Sequence, residues 1–212
     1  DICKDRKVWS GDKQILEQAV FVKAYKIAAT EGSVEQGDVC VAYGGCSHLP
    51  SNYTWGRGDL PVVNVSWYDA EQYIEWLNTV TAGGYRLPTD IEWEYAARAG
   101  SSTTYPWGND RPSCGDVRFG SPSWVSPTKH ECKIEGTWPV GSKQANAWGL
   151  HHVIGNVSEW TTGCGVDQRG CGRRNNRGGN WCTDLNAGVL HVRDYDIGRR
   201  YNRVGFRLAS GS

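Results

Sequence analysis

Three groups of residues in this chain are of types that do chemistry. The first is its cysteines: Cys3, Cys40, Cys46, Cys114, Cys132, Cys164, Cys171 and Cys182. None stands in the paired Cys-x-x-Cys spacing of a zinc site. Cys40/Cys46 and Cys164/Cys171 flank glycine-rich loops, a spacing that suits local disulfides in an oxidising compartment. Cys114/Cys132 could close a third loop, and Cys182 is expected as a free thiol. The alternative is a set of buried thiols in a reducing compartment. The second group is His151-His152, which reads as a strand-edge pair rather than a metal site. The third is Asp194 and Asp196. Two residues apart on a strand, they share one face and have the look of a metal or acid–base pair. Their surroundings favour accident over catalysis.

Those surroundings are unusual in composition. Arg177-Gly178-Gly179-Asn180-Trp181 and Gly205-Phe206-Arg207-Leu208 bracket a patternless run, Cys182 to Val204, without Lys, Glu, Gln, Met or Trp. Asparagine codons whose adenines are replaced at random cannot encode those five residues, and they can encode every residue present. The run therefore reads as a randomised binding surface between fixed anchors. An ordinary strand pair with a long polar loop is the plainer alternative.

The elements that must position these groups are legible in places. Pro61-Val62-Val63-Asn64-Val65 reads as a short strand. Ser66 then caps a helix from Trp67 to about Val80, with Asp69 bonding back. Ala70, Tyr73, Ile74 and Leu77 form its buried face, and Gly83-Gly84 ends it. Thr89 and Glu92 form a capping box for a second helix that buries Trp93, Ala96 and Ala97 and stops at Gly100. Gln14 to Ala29 has a helical stripe weakened by β-branched residues. Thr30 to Pro61 reads as an ordered loop. Thr137–Gly141, Asn146–Leu150, Val153–Trp160, Arg177–Trp181 and Val204–Leu208 read as short buried strands joined by glycine turns.

Bulk properties narrow the function. With 212 residues the chain favours one domain, residues 1–212, and is ample for a core. A formal net charge of zero gives no long-range pull on polyanions, so nucleic acid is not an expected partner. No apolar run approaches the length of a membrane span. The start Asp1-Ile2-Cys3-Lys4 holds neither a signal peptide nor a lipoprotein cleavage box, so a lipid anchor is expected outside this sequence. Eleven Trp with many Gly describe a loop-rich fold that buries area through aromatic rings.

Several spaced motifs then converge. They are Val63-Asn64-Val65-Ser66-Trp67-Tyr68-Asp69-Ala70, the run from Arg86-Leu87-Pro88-Thr89 through Glu92-Trp93-Glu94-Tyr95-Ala96-Ala97-Arg98 to Gly100, and Tyr105-Pro106-Trp107-Gly108. Asn146-Ala147-Trp148-Gly149-Leu150, Gly155-Asn156-Val157-Ser158-Glu159-Trp160 and the closing Arg-Gly-Gly and Gly-Phe-Arg pair follow. In this order, over roughly Leu60 to Leu208, they resemble formylglycine-generating-enzyme-type domains. Asn180 stands where serine is commoner, a change harmless to the fold. The resemblance implies an α+β, C-type lectin-like fold: two helices, a small twisted antiparallel sheet and much irregular structure.

The family holds several functions. Its oxidases use two closely spaced cysteines just after the Arg-Gly-Gly motif to bind copper and turn a peptide cysteine into formylglycine. Here Cys182 stands alone, and its partner's position is Asn186 or another non-thiol. A second branch uses a histidine–iron site supplied largely by another domain, and no matching histidine triad is present. The third branch is the variable proteins of diversity-generating retroelements, which the C-terminal run resembles. This branch implies a non-enzymatic, surface-displayed ligand-binding monomer whose partner is a variable protein or other macromolecular ligand. It is held at the cell surface, as an outer-membrane lipoprotein, by an anchor alone.

On that reading the ligand-binding set is Cys182, Thr183, Asp184, Val189, His191, Asp194, Tyr195, Asp196, Arg199, Tyr201, Asn202 and Arg203, with side chains displayed outward. Gly178, Gly179, Trp181, Leu185, Ala187, Leu190, Val192, Gly205 and Phe206 are expected as scaffold. No cofactor is expected beyond a structural calcium that the resemblance places at Asn156 and Glu159. A buried, hydrogen-bonded Glu159 is the alternative. The sequons at Asn52, Asn64 and Asn156 are read as fold residues rather than glycan sites.

Overall fold

Two capping boxes fix the best-defined part of the molecule. In α2 (Trp67–Thr81), the Ser66 hydroxyl accepts from the Asp69 amide at 3.1 Å, and the Asp69 carboxylate accepts from the Ser66 amide at 2.7 Å. In α3 (Asp90–Arg98), Thr89 and Glu92 repeat the exchange, and Glu92 also holds Arg86 at 2.6 Å. These contacts satisfy amides that a helix start leaves orphaned. Both helices end on an alanine in left-handed conformation, Ala82 (φ 53°) and Ala99 (φ 47°), one or two residues before the glycines expected to stop them. The computed structural model describes residues 21–52, 54–110, 112, 113, 117, 136–165, 170–183 and 192–211.

Two expectations fail near the start. Within the stripe read as a helix over 14–29, Tyr25–Ile27 forms a strand, β1; residues 14–20 lie outside the described set. Its β-branched and aromatic residues pair with the chain's end rather than coil. The stretch read as a loop contains a third helix, α1 (Val34–Ala42), opened by a Ser33–Gln36 capping box and closed by the Cys40–Cys46 disulfide. The helices therefore number three among the described residues, where the resemblance implied two.

The strands form two sheets. In the first, β7 (Ala209–Gly211) lies between β1 and β2 (Tyr85–Arg86), antiparallel to both. The second has the order β5-β4-β3-β6, with β3 (Ser158–Cys164), β4 (Arg173–Arg177), β5 (Val192–Asp196) and β6 (Val204–Phe206). Its β3–β6 pair is parallel, so the sheet is mixed rather than wholly antiparallel. Cys164–Cys171 staples the β3–β4 hairpin. Several expected strands are absent. Over 61–65 there are only isolated bridges, Pro61 to Ser33 and Val65 to Tyr201, because Asn64 is left-handed (φ 57°) and breaks the ladder. Thr137–Gly141 and Asn146–Leu150 are turns, the latter tied to the end of α3 by the Asn146 side chain.

Two apolar clusters carry the fold. Ala70, Tyr73 and Ile74 of α2 pack with Val62, Leu87, Trp160 and Phe206, while Trp93, Ala96 and Ala97 of α3 pack with Tyr105, Leu150 and Ile154. Each large side chain fully buried this way contributes roughly 1.5–3 kcal/mol. The four-stranded sheet presents β5, which lies within the compositionally odd run, at one edge.

Candidate functional site

The frame of the site is built from the two fixed anchors. Gly178 and Gly179 are buried with φ of 90° and 70°, a conformation glycine adopts without strain. A side chain on Gly178 would meet the Trp93 ring and the Val153 carbonyl at 3.1 Å. The Trp181 amide donates to the Asn156 carbonyl at 2.9 Å, and its indole donates to the Asn202 carbonyl at 3.2 Å, so one ring ties both ends of the run together. Asn180 donates to Ser158 at 2.9 Å and accepts from the Cys182 amide at 2.9 Å.

The other anchor ends in a buried ion pair. Arg207 donates from Nε and Nη2 to the two Glu159 oxygens at 2.9 and 2.8 Å, and its remaining donors reach the carbonyls of Ala28, Ala29 and His151. Trp93 adds a third donor to Glu159 at 2.6 Å. Both Glu159 oxygens are therefore engaged, and the Asn156 carboxamide is taken by the Trp138 amide and by Glu31. This donor-saturated arrangement does not fit the calcium that the resemblance implied at Asn156 and Glu159; it fits the buried, hydrogen-bonded glutamate. Burial pushes the neighbouring Glu31 carboxyl up to about 8, Arg207 pulling it down and Glu159 pushing it further up. Asn64 and Asn156 are both left-handed and hydrogen-bonded, which agrees with their reading as fold residues.

The expected ligand-binding set divides. Asp196 and Arg199 are exposed; Cys182, Asp194 and Tyr201 are half-buried. Thr183, Tyr195, Asn202 and Arg203 are buried, against the expectation that they face outward. Each has a local cause. The Thr183 hydroxyl accepts from the Asn180 amide at 3.0 Å. Tyr195 stacks on Tyr201 with centroids 4.2 Å apart and meets Trp160 edge-on. Arg203 lies against both tyrosine faces and reaches the Tyr195 hydroxyl. Asn202 sits under the Trp181 indole. Val192, expected as scaffold, is 41% exposed, because it starts the edge strand. Asp184, Leu185, Ala187, Val189, Leu190 and His191 lie outside the described residues.

Asp194 and Asp196 do share a side of β5, their cross-strand partners being Asn175 and Arg173. Asp194 pairs with Arg173 at 3.0 Å, and Asp196 accepts from the Gly198 amide at 2.9 Å. Among the described residues no three His, Cys, Asp or Glu side chains converge as a metal cage. His152 is not on a strand edge: it is buried and left-handed (φ 52°), and burial holds its imidazole down at about 4. Cys40–Cys46 and Cys164–Cys171 are the expected local disulfides. Cys182 is also disulfide-bonded, which corrects its reading as a free thiol.

The sequence reading missed Arg193 and Arg200. Both belong to the residue types that asparagine codons can yield, and that signal was enough to include them. Arg200 reaches from the run to the helix cap, pairing with Asp69 at 2.7 Å. The Trp67 amide donates to the Ile197 carbonyl at 3.1 Å, so the first turn of α2 and the turn after β5 form one surface.

Comparison with known proteins places this architecture. The formylglycine-generating enzyme of Mycobacterium tuberculosis is 42% identical over 108 residues, 50% of this chain and 34% of the enzyme. The inactive C-alpha-formylglycine-generating enzyme 2 of Bos taurus is 36% identical over 166 residues, 73% of this chain and 51% of that protein. The aligned region thus spans about a third to a half of the length of these relatives. Treponema denticola variable protein 1 superposes with a TM-score of 0.72 at 23% identity, covering 89% of this chain and 84% of that one, which shows a shared fold. Residues 7–211 match the model of the sulfatase-modifying factor enzyme 1-like domain, and with three helices beside small sheets among its described residues, in the formylglycine-generating-enzyme variant of the C-type lectin-like fold, the chain belongs to that family.

Proposed function

We propose that this chain is a non-enzymatic ligand-binding protein whose C-terminal face is diversified by a retroelement acting on template adenines. The observation that carries the reading is a separation of roles between Arg177 and Leu208. The anchors are buried and cross-bonded, while Asp196, Arg199 and Arg200 stand exposed between them. A surface that changes its residues needs a frame that does not depend on them. The likeness to a Treponema variable protein supports the reading at the level of fold, and the composition of the run supports it at the level of the gene. Display at the cell surface through a lipid anchor, as a monomer, belongs to the same proposal.

The competing function is that of the relatives named formylglycine-generating enzymes. Copper chemistry of that kind needs two thiolates converging on one ion. Here the cysteine that follows the Arg-Gly-Gly anchor is already in a disulfide, and all other described cysteines are paired. A relative named as inactive shows that the fold exists without the reaction.

Sequencing the locus tests the proposal. We expect a near-copy of the 3′ end beside a reverse transcriptase gene, differing at adenines, and no such repeat would sink the idea. An oxygen-uptake assay with copper and a cysteine-containing peptide tests the enzyme; we expect none above background, and turnover lost on Cys182→Ser would reverse the conclusion.

A further inference from the structure

Between α1 and the Pro61 bridge the chain makes a turn that reads Arg57-Gly58-Asp59, and all three residues are exposed. The turn is held from behind. The carbonyls of Gly58, Asp59 and Leu60 accept from the amides of Glu35, Val140 and Val34 at 2.9, 2.8 and 2.8 Å, and Leu60 is buried. Gly58 is left-handed (φ 76°), and a side chain there would meet nothing within 4 Å, so the apex is open to a partner. Trp55, just ahead of the turn, meets Trp181 edge-on with ring centroids 5.1 Å apart, which sets the turn beside the anchor that opens the run. The two charged side chains differ in state. Among the described residues the Asp59 carboxylate has no ion-pair or hydrogen-bond partner. Arg57 is held by Asp38: its Nε donates to Oδ2 at 2.9 Å and its Nη2 to Oδ1, while its Nη1 donates to the Pro50 carbonyl at 3.2 Å. The pair lies at the surface, with side chains 43% and 37% exposed, and contributes little to stability.

We propose that Arg57-Gly58-Asp59 is a docking turn for a cell-adhesion receptor that reads this tripeptide, offering a carboxylate to the arginine and a bound divalent ion to the aspartate, with Asp38 holding the arginine until the receptor's acid replaces it. Each half follows from the state of its side chain. A guanidinium that already grips one carboxylate with two prongs is shaped to grip another. A free, exposed carboxylate is an oxygen ligand for a divalent ion that the partner carries. The fixed backbone presents both without a loop having to order on binding. The turn precedes the run from 182 to 203, so this site stays constant where its neighbour varies, and it does not depend on the diversification reading.

The test passes the purified ectodomain of the vitronectin-receptor integrin, in manganese buffer, over the intact immobilised chain and reads binding by surface plasmon resonance. Binding is expected, abolished by EDTA and competed by a Gly-Arg-Gly-Asp-Ser peptide but not by Gly-Arg-Gly-Glu-Ser. Asp59→Glu keeps the charge but moves the carboxylate by one methylene, and should weaken binding more than about tenfold. Arg57→Ala should weaken it about tenfold. Asp38→Asn, which releases Arg57, should strengthen it about threefold. Asp110→Glu, the same change at an exposed aspartate elsewhere, should leave it unaltered. Unchanged circular dichroism and melting temperature show that each variant is folded, as expected for side chains on the surface. Absence of binding, binding that survives EDTA, or full binding by Asp59→Glu would overturn the proposal. Unchanged or lowered affinity in Asp38→Asn would overturn the part given to Asp38. The diversification reading fails separately, on the missing repeat at the locus.

Discussion

Tyr195 lies flat against Tyr201, ring centroids 4.2 Å apart at 25°, although both belong to a run whose composition suggests free exchange. The pair makes part of the run structural. Tyr195 is 7% exposed, joins the main apolar cluster and meets Trp160. Burial raises both phenols above their ordinary titration range, so they remain neutral, hydrogen-bonding groups.

Truncation separates the structural residues from the displayed ones. Tyr195→Ala should destabilise the protein by about 3 kcal/mol, through lost burial and a cavity. Arg199→Ala should move stability by less than about 0.5 kcal/mol, since its side chain is exposed. Chemical denaturation of the two variants checks this. Equal small effects would mean that Tyr195 is not interior.

The buried pair Arg207–Glu159 should be costly to break from one side. Arg207→Met leaves the Glu159 carboxylate with only the Trp93 donor and strands the Ala28 and His151 carbonyls, while Ala29 keeps the His151 amide, so a loss of about 3–5 kcal/mol is expected. Arg207→Met combined with Glu159→Gln should recover part of it. A urea series on the single and double variants reads the coupling, and additive losses would deny that the two side chains act as a unit.

Much of this arrangement is legible in the residues, and the failures have causes. The starts of α2 and α3 are written in Ser66, Asp69, Thr89 and Glu92, because a cap is a local device of four residues. Ser33 and Gln36 write the same device for α1, but a glycine inside the helix and the surrounding Gly, Ser and Asn masked it. The β1 strand was not legible, since its partner, β7, is at the far end of the chain. In the site, the anchors could be read because glycine and tryptophan have few alternatives there. The inward turn of Tyr195, Asn202 and Arg203 could not be, because it depends on Trp160 and Trp181 arriving from elsewhere. Composition tells which residues are permitted, and packing decides which of them face the solvent.

His152 sets one limb of the pH dependence. Its folded-state value is held at about 4 by burial, Arg207 adding to the effect, against an ordinary 6.5. The neutral ring is favoured in the fold, so its contribution is complete above 6.5 and is lost as pH falls through 4. The full effect is about 3 kcal/mol. Thermal melts between pH 7 and 4 should show the decline, and His152→Asn, which tolerates the left-handed backbone, should flatten it. An unchanged slope in that variant would assign the decline to other groups.

Gly205 distinguishes a frame that merely tolerates its neighbours from one that requires them. Glu159 and Gly205 are partners in the parallel β3–β6 pair, and a Cβ on Gly205 would sit 2.4 Å from the Val62 carbonyl oxygen, a backbone atom that cannot swing aside. Gly205→Ala must therefore push β6 away from the Val62 segment, which carries the chain into α2, and disturb the parallel pairing with Ser158 and Trp160. Overpacking of this kind costs about 1–3 kcal/mol or more. Gly198→Ala makes the comparison: it lies in the exposed turn after β5, where a new Cβ would meet the Asp196 side chain at an ordinary 3.5 Å, and it should be close to neutral. Hydrogen exchange at the β6 amides, measured beside the unfolding free energy, would show the difference. Retained protection in Gly205→Ala would mean that the anchor yields more readily than the Val62 contact implies, and that the face it supports is held by Trp181 alone.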